Sequence, residues 1–264
     1  MPGSAISPWM LLVLPAVFGV AQAGDAVAPR LEPLWTTGGF ADPESVALSA
    51  DRTFLYVSNV EGEGAARDGR GGIARLSLDG AMLERDWVVG LDAPKGMALR
   101  KGRLYVSDVT ELVEIDAGSG GVVARHEAPG AGFLNDVALA PGGEVLVSDS
   151  ARARIYAWRD GRMEIWLQDD LLRSVNGLLP EAGRLVVSTM QGKLLAVEWR
   201  NRGIEVIAEG LGDGDGIAAL GDGSYVVSEW PGRLFHVVAG RGSETLLDSR
   251  EDNRYLNDIL LVGD

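Results

Sequence analysis

One unit recurs six times along this chain, at intervals of about 40 residues, and that periodicity restricts the possible folds more than any other feature. Its clearest copy is LNDVALAPGGEVLVSD at 134–149. A polar pair, Asn135 and Asp136, leads into a short apolar run, a turn through Pro141, Gly142 and Gly143, and a return run ending in Ser148 and Asp149. The pattern is that of a β-hairpin with a polar entrance. The apolar runs begin at Val46, Met97, Val137, Leu178, Ile217 and Ile259, and the first five return through Val-Ser followed by Asn, Asp, Asp, Thr or Glu. Further strand signals follow at 73–78, 112–115, 155–158, 194–197 and 234–238, and then outer runs such as 163–167 and 204–208. Four short strands per repeat, separated by Gly and Asp turns, make the blade of a β-propeller.

The first interval is about ten residues longer than the rest, and the surplus is EGEGAARDGRGG at 61–72, which reads as a mobile surface loop. Six starts predict an all-β, six-bladed β-propeller occupying 24–264 as a single domain. The sixth copy stops after its first strand, so the last blade is expected to be truncated at the C-terminus. Residues 31–37 (LEPLWTT) offer an outer strand towards closing the ring. The alternative is a five-bladed ring with both ends as appendages.

Residues 9–20 (WMLLVLPAVFGV) form an apolar run too short to cross a bilayer, and Ala21-Gln22-Ala23 follows as a small-x-small cleavage site. Residues 1–23 therefore read as a secretory signal peptide, although no Lys or Arg precedes the run. The mature chain is expected in the periplasm or outside the cell, with no membrane attachment after cleavage. A net charge of -14 would repel a nucleic-acid backbone. With no cysteine, disulfides, thiolate metal sites and a cysteine nucleophile are excluded.

In a propeller the first strand of each blade lines the central channel, so one register makes a ring around the axis. Two residues before each apolar start stand Glu44, Lys95, Asn135, Asn176, Asp215 and Asn257, and all but Lys95 carry a side-chain oxygen. Converging hard oxygens suit calcium, which takes about six to eight such ligands, while the lack of thiol and histidine in the ring disfavours zinc. Taken singly, Asn-Gly, Asn-Asp and Asp-Gly are also turn dipeptides.

The segments PES (43–45), LNDVALAPGG, VNGL (175–178) and GDGIAALGDGSYVVSEW resemble the family of senescence marker protein, gluconolactonase and luciferin-regenerating enzyme, and more distantly diisopropylfluorophosphatase and the paraoxonases. The resemblance covers most of the mature chain. It implies a six-bladed propeller with calcium or another divalent cation in the channel, Glu44, Asn135, Asn176 and Asp215 as its ligands, and Asp215 doubling as the catalytic carboxylate. Two departures are Lys95, which places an ammonium in the ring, and Phe133, which stands where sugar-lactonase members carry an arginine.

The expected activity is metal-dependent hydrolysis of a small-molecule lactone or ester. The cation would polarise the carbonyl, Asp215 would take the proton from the attacking water, and Lys95 would steady the oxyanion, hold a substrate carboxylate, or partly stand in for the metal. A merely structural Lys95, folded over Asp92, is the other reading. Phosphotriester hydrolysis would use the same groups. The non-enzymatic alternative is an extracellular propeller whose mouth binds a peptide, glycan or cell-wall component. Of the two histidines, His236 lies in an apolar strand and is expected to pack, whereas His126 lies near the end of an outer strand from which it could reach the mouth. Trp230 is a candidate wall of the pocket, and Asp136 and Asp258 either orient the ring ligands or cap turns.

Overall fold

The Val-Ser return runs are buried along almost their whole length: every residue of the strand Val145–Asp149, and all but the first of Arg103–Asp108, is shielded from solvent. A strand buried on both faces belongs in the middle of a sheet that is itself packed between others. The computed structural model, which describes residues 29–252 and 254–263, places them so. The expected leader at 1–23 lies outside the described residues.

Five four-stranded sheets follow one another at 42–91, 94–127, 134–168, 175–208 and 214–248, each antiparallel and ordered from an inner strand to an outer one in chain order. Exposure rises outward, so that the fourth strands Met82–Leu91 and Val122–Glu127 are largely open to water. The apolar core lies between blades rather than within them. Tyr56, Ile73, Trp87 and Val88 of blade 1 pack on Met97, Leu104, Val106, Val113 and Ile115 of blade 2, sheet face against sheet face.

The propeller has five blades, which corrects the expectation of six. The sixth copy of the repeat forms no strand among the described residues. Asn257–Ile259 instead lies between the inner strands of blades 5 and 1, held by isolated bonds. The Asn257 amide donates to the Pro43 carbonyl at 2.7 Å, the Asp258 backbone N–H to the Glu44 carbonyl at 3.4 Å, and Ser228 Oγ to the Asn257 carbonyl. The physical reason is that a strand needs a ladder partner for its backbone groups, and no strand among the described residues pairs with 257–259. Residues 31–37 do not form an outer strand either. Leu31 packs with Leu256 and Val226, while Trp35 and Phe40 join Leu260 over Val46, Leu55 and Leu76, so segments 31–40 and 256–260 fill the same gap.

The insertion after the second strand also differs from expectation, because it is tied down. Gly64 accepts from Lys95 Nζ at 2.7 Å, Arg67 donates to Thr110 Oγ1, and Gly69 N–H donates to Asp92 Oδ1 at 3.0 Å. It therefore lies across blades 1 and 2 beside the channel.

Candidate functional site

The inner strands Asp42–Leu48, Pro94–Arg100, Leu134–Leu139, Val175–Pro180 and Gly214–Ala219 stand side by side around the axis. Their backbones can meet because the residue after the ring position is small where it faces the next strand. A Cβ on Gly177 would lie 2.2 Å from the Asp215 carbonyl oxygen, and one on Gly96 would lie 2.5 Å from Asp136 Cα. Gly177 and Gly96 sit inside strands, not turns, so the Asn-Gly and Lys-Gly pairs record close approach of backbones.

The serine of each return run fixes the ring to the blades. Ser58 Oγ accepts from the Ser45 backbone N–H at 3.0 Å and donates to the Lys95 carbonyl of the next blade at 2.8 Å. Ser188 Oγ accepts from Gly177 N–H at 2.9 Å and donates to the Asp215 carbonyl; Ser228 does the same for Gly216 N–H and the Asn257 carbonyl. Ser107 donates to the Asn135 carbonyl. In blade 3 the role is split, with Ser148 accepting from Asp136 N–H at 2.8 Å and Ser150 donating to the Val175 carbonyl at 2.6 Å. The next residue braces the loop leading into the inner strand, as when Asp108 accepts from the Asp92 and Ala93 N–H groups and Asp149 from Gly132 and Phe133. None of these serines was singled out by their chemistry in the sequence, yet their recurrence at one register was the available signal.

Glu44, Lys95, Asn135, Asn176 and Asp215 line one small cavity of about 10 Å³, the size of a single water or ion, together with Asp136, Asp258, Ser45 and Gly96. Asn257, the sixth ring residue, borders an adjoining crevice with Glu44 and Asp258. Asn257 is 8% exposed, and its Oδ1 has no hydrogen-bond partner. Asp136 and Asp258 stitch backbones. Each accepts at 2.7 Å from the N–H that follows it; Asp136 Oδ2 also accepts from Leu178 N–H at 2.6 Å, and Asp258 Oδ2 from Ser45 Oγ at 2.5 Å.

Four carboxylates thus face one another across a narrow channel. Burial pushes the Glu44 carboxyl up to about 7 despite the pull of the Lys95 ammonium, and Asp42 and Asp258 add to the rise. Burial, then the charges of Glu44, Asp258 and Asp136, holds Asp215 well above the ordinary carboxylate range, against a hydrogen bond from Asn176. Burial raises Asp136 and Asp258 as well, and Asp258 adds to the rise at Asp136. Burial lowers the Lys95 ammonium even though Glu44, Asp108, Asp42 and Asp215 favour its charge. Lys95 Nζ donates to the carbonyls of Gly64 and Ala93, the latter at 3.1 Å, and faces the Phe133 ring at 4.6 Å. Two of its three protons are taken, so it is neither folded onto the Asp92 carboxylate nor idle.

The remaining candidates lie elsewhere. Trp230 stacks on Tyr255 with centroids 4.9 Å apart. His236 is buried in blade 5 against Glu244, and His126 sits between Glu114 and Trp158, away from the ring cavity. Three acidic groups, Asp92, Asp108 and Glu111, approach one another in blade 2, but Arg125 occupies them by pairing with Asp108 and Glu111.

Fold and site together define a five-bladed β-propeller with a carboxylate-lined central channel. No protein-family model and no curated protein matches the chain. Among solved structures it is similar to a catalytically inactive virginiamycin B lyase from Staphylococcus aureus bound to quinupristin, with 13% identity, a TM-score of 0.59, and coverage of 84% of this chain and 89% of that one. It is also similar to a chain of a nidogen/laminin complex, with 18% identity, a TM-score of 0.64, and coverage of 82% and 83%. At such identities the likeness is one of fold, and propellers serve many functions. Among the described residues, no helix is long and apolar enough to cross a membrane.

Proposed function

We propose that the channel holds a divalent cation, calcium by preference, and that the protein is a hydrolase of small lactones or esters acting outside the cytoplasm. The observation that carries this reading is the crowding of four carboxyl groups, held protonated by burial unless a cation takes the proton's place. Glu44, Asp136, Asp215 and Asp258 share one cavity with a single ammonium, Lys95. Buried like charges are costly unless a cation compensates them. The donor set fits, since Glu44, Asn135, Asn176 and Asp215 offer hard oxygens and no thiol, and the orphaned Asn257 Oδ1 beside Glu44 is a further acceptor lacking a partner.

When bound, the cation would act as a Lewis acid on the substrate carbonyl. The chain's own residues do the rest. Asp215, raised by burial, is a stronger base than a surface carboxylate once ionised, and its free oxygen takes the proton of the attacking water. Lys95 keeps one N–H to offer a developing oxyanion. Phe133, against Lys95, places an apolar surface beside the channel where a sugar hydroxyl would gain nothing. A lactone and aryl-ester panel assayed with calcium and with chelator tests this, with Asp215→Asn expected to abolish turnover while the fold persists. Full activity in that variant would remove Asp215 from the mechanism. Activity undiminished by chelation would remove the metal.

The second reading is a binding module in which the ion only stiffens the ring. Calcium-dependent stabilisation with no hydrolysis across the panel would select it.

A further inference from the structure

At the far ends of the inner strands from the ring, blades 2 and 3 part to leave a cleft of about 500 Å³ lined by Arg100, Lys101, Arg103, Tyr105, Trp158 and Arg159, with the Gly142-Gly143 turn and Asp160 at its edge. Tyr105 occupies the same register as Tyr56 of blade 1. Both follow Leu and precede Val-Ser, and each pairs with an alanine of its own inner strand, Ala98 and Ala47. Tyr56 donates its hydroxyl to the Ala117 carbonyl in the third turn of the next blade at 3.0 Å. Tyr156 and Tyr225 likewise find partners, the Pro129 carbonyl at 2.8 Å and Glu181 at 2.9 Å. The Tyr105 side chain is 5% exposed, and its hydroxyl, which has no protein partner among the described residues, is not among the buried unpaired atoms and so opens to the cleft.

The cause is local. The turn that covers Tyr56 spans Ala117 to Gly121, whereas its counterpart in blade 3 is the two-residue turn Asp160-Gly161, with φ of 50° and 78°, between paired Arg159 and Arg162. That tight turn stops short of Tyr105. The Trp158 ring, 5.3 Å from that of Tyr105, lines the same cleft, with its Nε1 buried behind it and unpartnered. Around this open hydroxyl and the Trp158 ring stand four cations. Arg103 is shared by Glu114 and Asp116, and Arg159 by Glu144. Arg100 is seated on the Gly143 carbonyl, a neutral group, and Lys101 has no ion-pair partner among the described residues. Two cations without an ion-pair partner against the one lining carboxylate Asp160, beside an open neutral donor and in a chain of net charge -14, favour an oxyanion.

We propose that this cleft binds a small phosphate-bearing ligand, with the Tyr105 hydroxyl as neutral donor, Arg100 and Lys101 as counter-charges, and the Trp158 ring as an apolar wall. Dianionic phosphate matches the two unpaired cations, and the Tyr105–Trp158 wall offers an apolar surface to the ester group.

Titration calorimetry on the full chain, with inorganic phosphate and phenyl phosphate as probes in chloride buffer of matched ionic strength, tests it. Saturable binding of either probe is expected, weakened about fivefold by Tyr105→Phe and by more than about tenfold in the double variant Arg100→Gln, Lys101→Gln. Tyr56→Phe should leave binding unchanged. Tyr105→Phe removes no hydrogen bond, so it should fold as well as the parent. Tighter binding of phenyl phosphate than of inorganic phosphate would assign the aromatic wall to the ester, and equal binding would assign the site to the phosphate group alone. No saturable binding of either probe, binding indifferent to both sets of substitutions, or benzoate binding as tightly as phosphate would overturn the proposal.

Discussion

Raising the pH in the presence of chelator should weaken this fold over a range where most proteins are steady. Glu44 releases its proton near 4.5 when unfolded and at about 7 in the channel. Between those values the folded chain holds a proton that the unfolded chain has lost, so stability is greatest at and below the lower value and falls as pH rises to the upper one. The gap corresponds to about 3 kcal/mol at roughly 1.4 kcal/mol per pH unit. Because Glu44 keeps partial contact with the channel, screening by water brings the working figure to about 1.5–3 kcal/mol. Asp215 is raised by the same burial and adds in the same direction. Calcium at about a hundredfold its dissociation constant should restore roughly 2.7 kcal/mol. It should do so most strongly at the upper end of the range, where the carboxylates are ionised. Urea unfolding followed by tryptophan fluorescence at about pH 5 and pH 7.5, with chelator and then with calcium, measures all of this; Glu44→Gln should remove most of the slope. Chelated protein equally stable at both pH values, or a Glu44→Gln variant that keeps the whole slope, would refute the reasoning.

Asn176→Ala should suppress calcium stabilisation in a thermal-unfolding scan while altering the chelated protein far less. Ser188→Ala leaves the Gly177 N–H and the Asp215 carbonyl without their shared partner, and should cost about 1–3 kcal/mol in denaturant unfolding. Gly177→Ala drives a Cβ into the Asp215 carbonyl, so it should both destabilise the fold by about 1–3 kcal/mol or more and reduce calcium affinity measured by calorimetry. Lys95→Met frees Gly64 and should speed tryptic cleavage after Arg67 and Arg70, read by limited proteolysis and mass spectrometry.

Much of the candidate site was legible because its register repeats. Glu44, Lys95, Asn135, Asn176 and Asp215 do converge on one cavity, as their common distance from each apolar start implied. The stitching by Asp136 and Asp258 was half visible, as polar neighbours of the ring, but their reach to Leu178 N–H and Ser45 Oγ crosses between inner strands distant in sequence. Lys95 was visible only as a charge. That its ammonium turns to the Gly64 carbonyl depends on where the loop 61–70 folds, and nothing local to Lys95 encodes that.

By itself the sequence determined the hairpins, their placement and the inward-facing register, since strand alternation and Gly/Asp turns act over a few residues. Blade number was decided only in three dimensions. The sixth copy has the local pattern of an inner strand, but with no strand among the described residues to pair with it, Asn257–Ile259 settles between blades 5 and 1 as a wedge, and segments 31–40 and 256–260 pack there. The cleft beside Tyr105 is likewise tertiary. The LYVS segments of blades 1 and 2 are the same in sequence, and what separates a satisfied hydroxyl from an open one is the length of a turn on the neighbouring blade, 117–121 in one case and 160–161 in the other. Local chemistry writes each blade, and packing between blades determines which of its polar groups are left for a ligand.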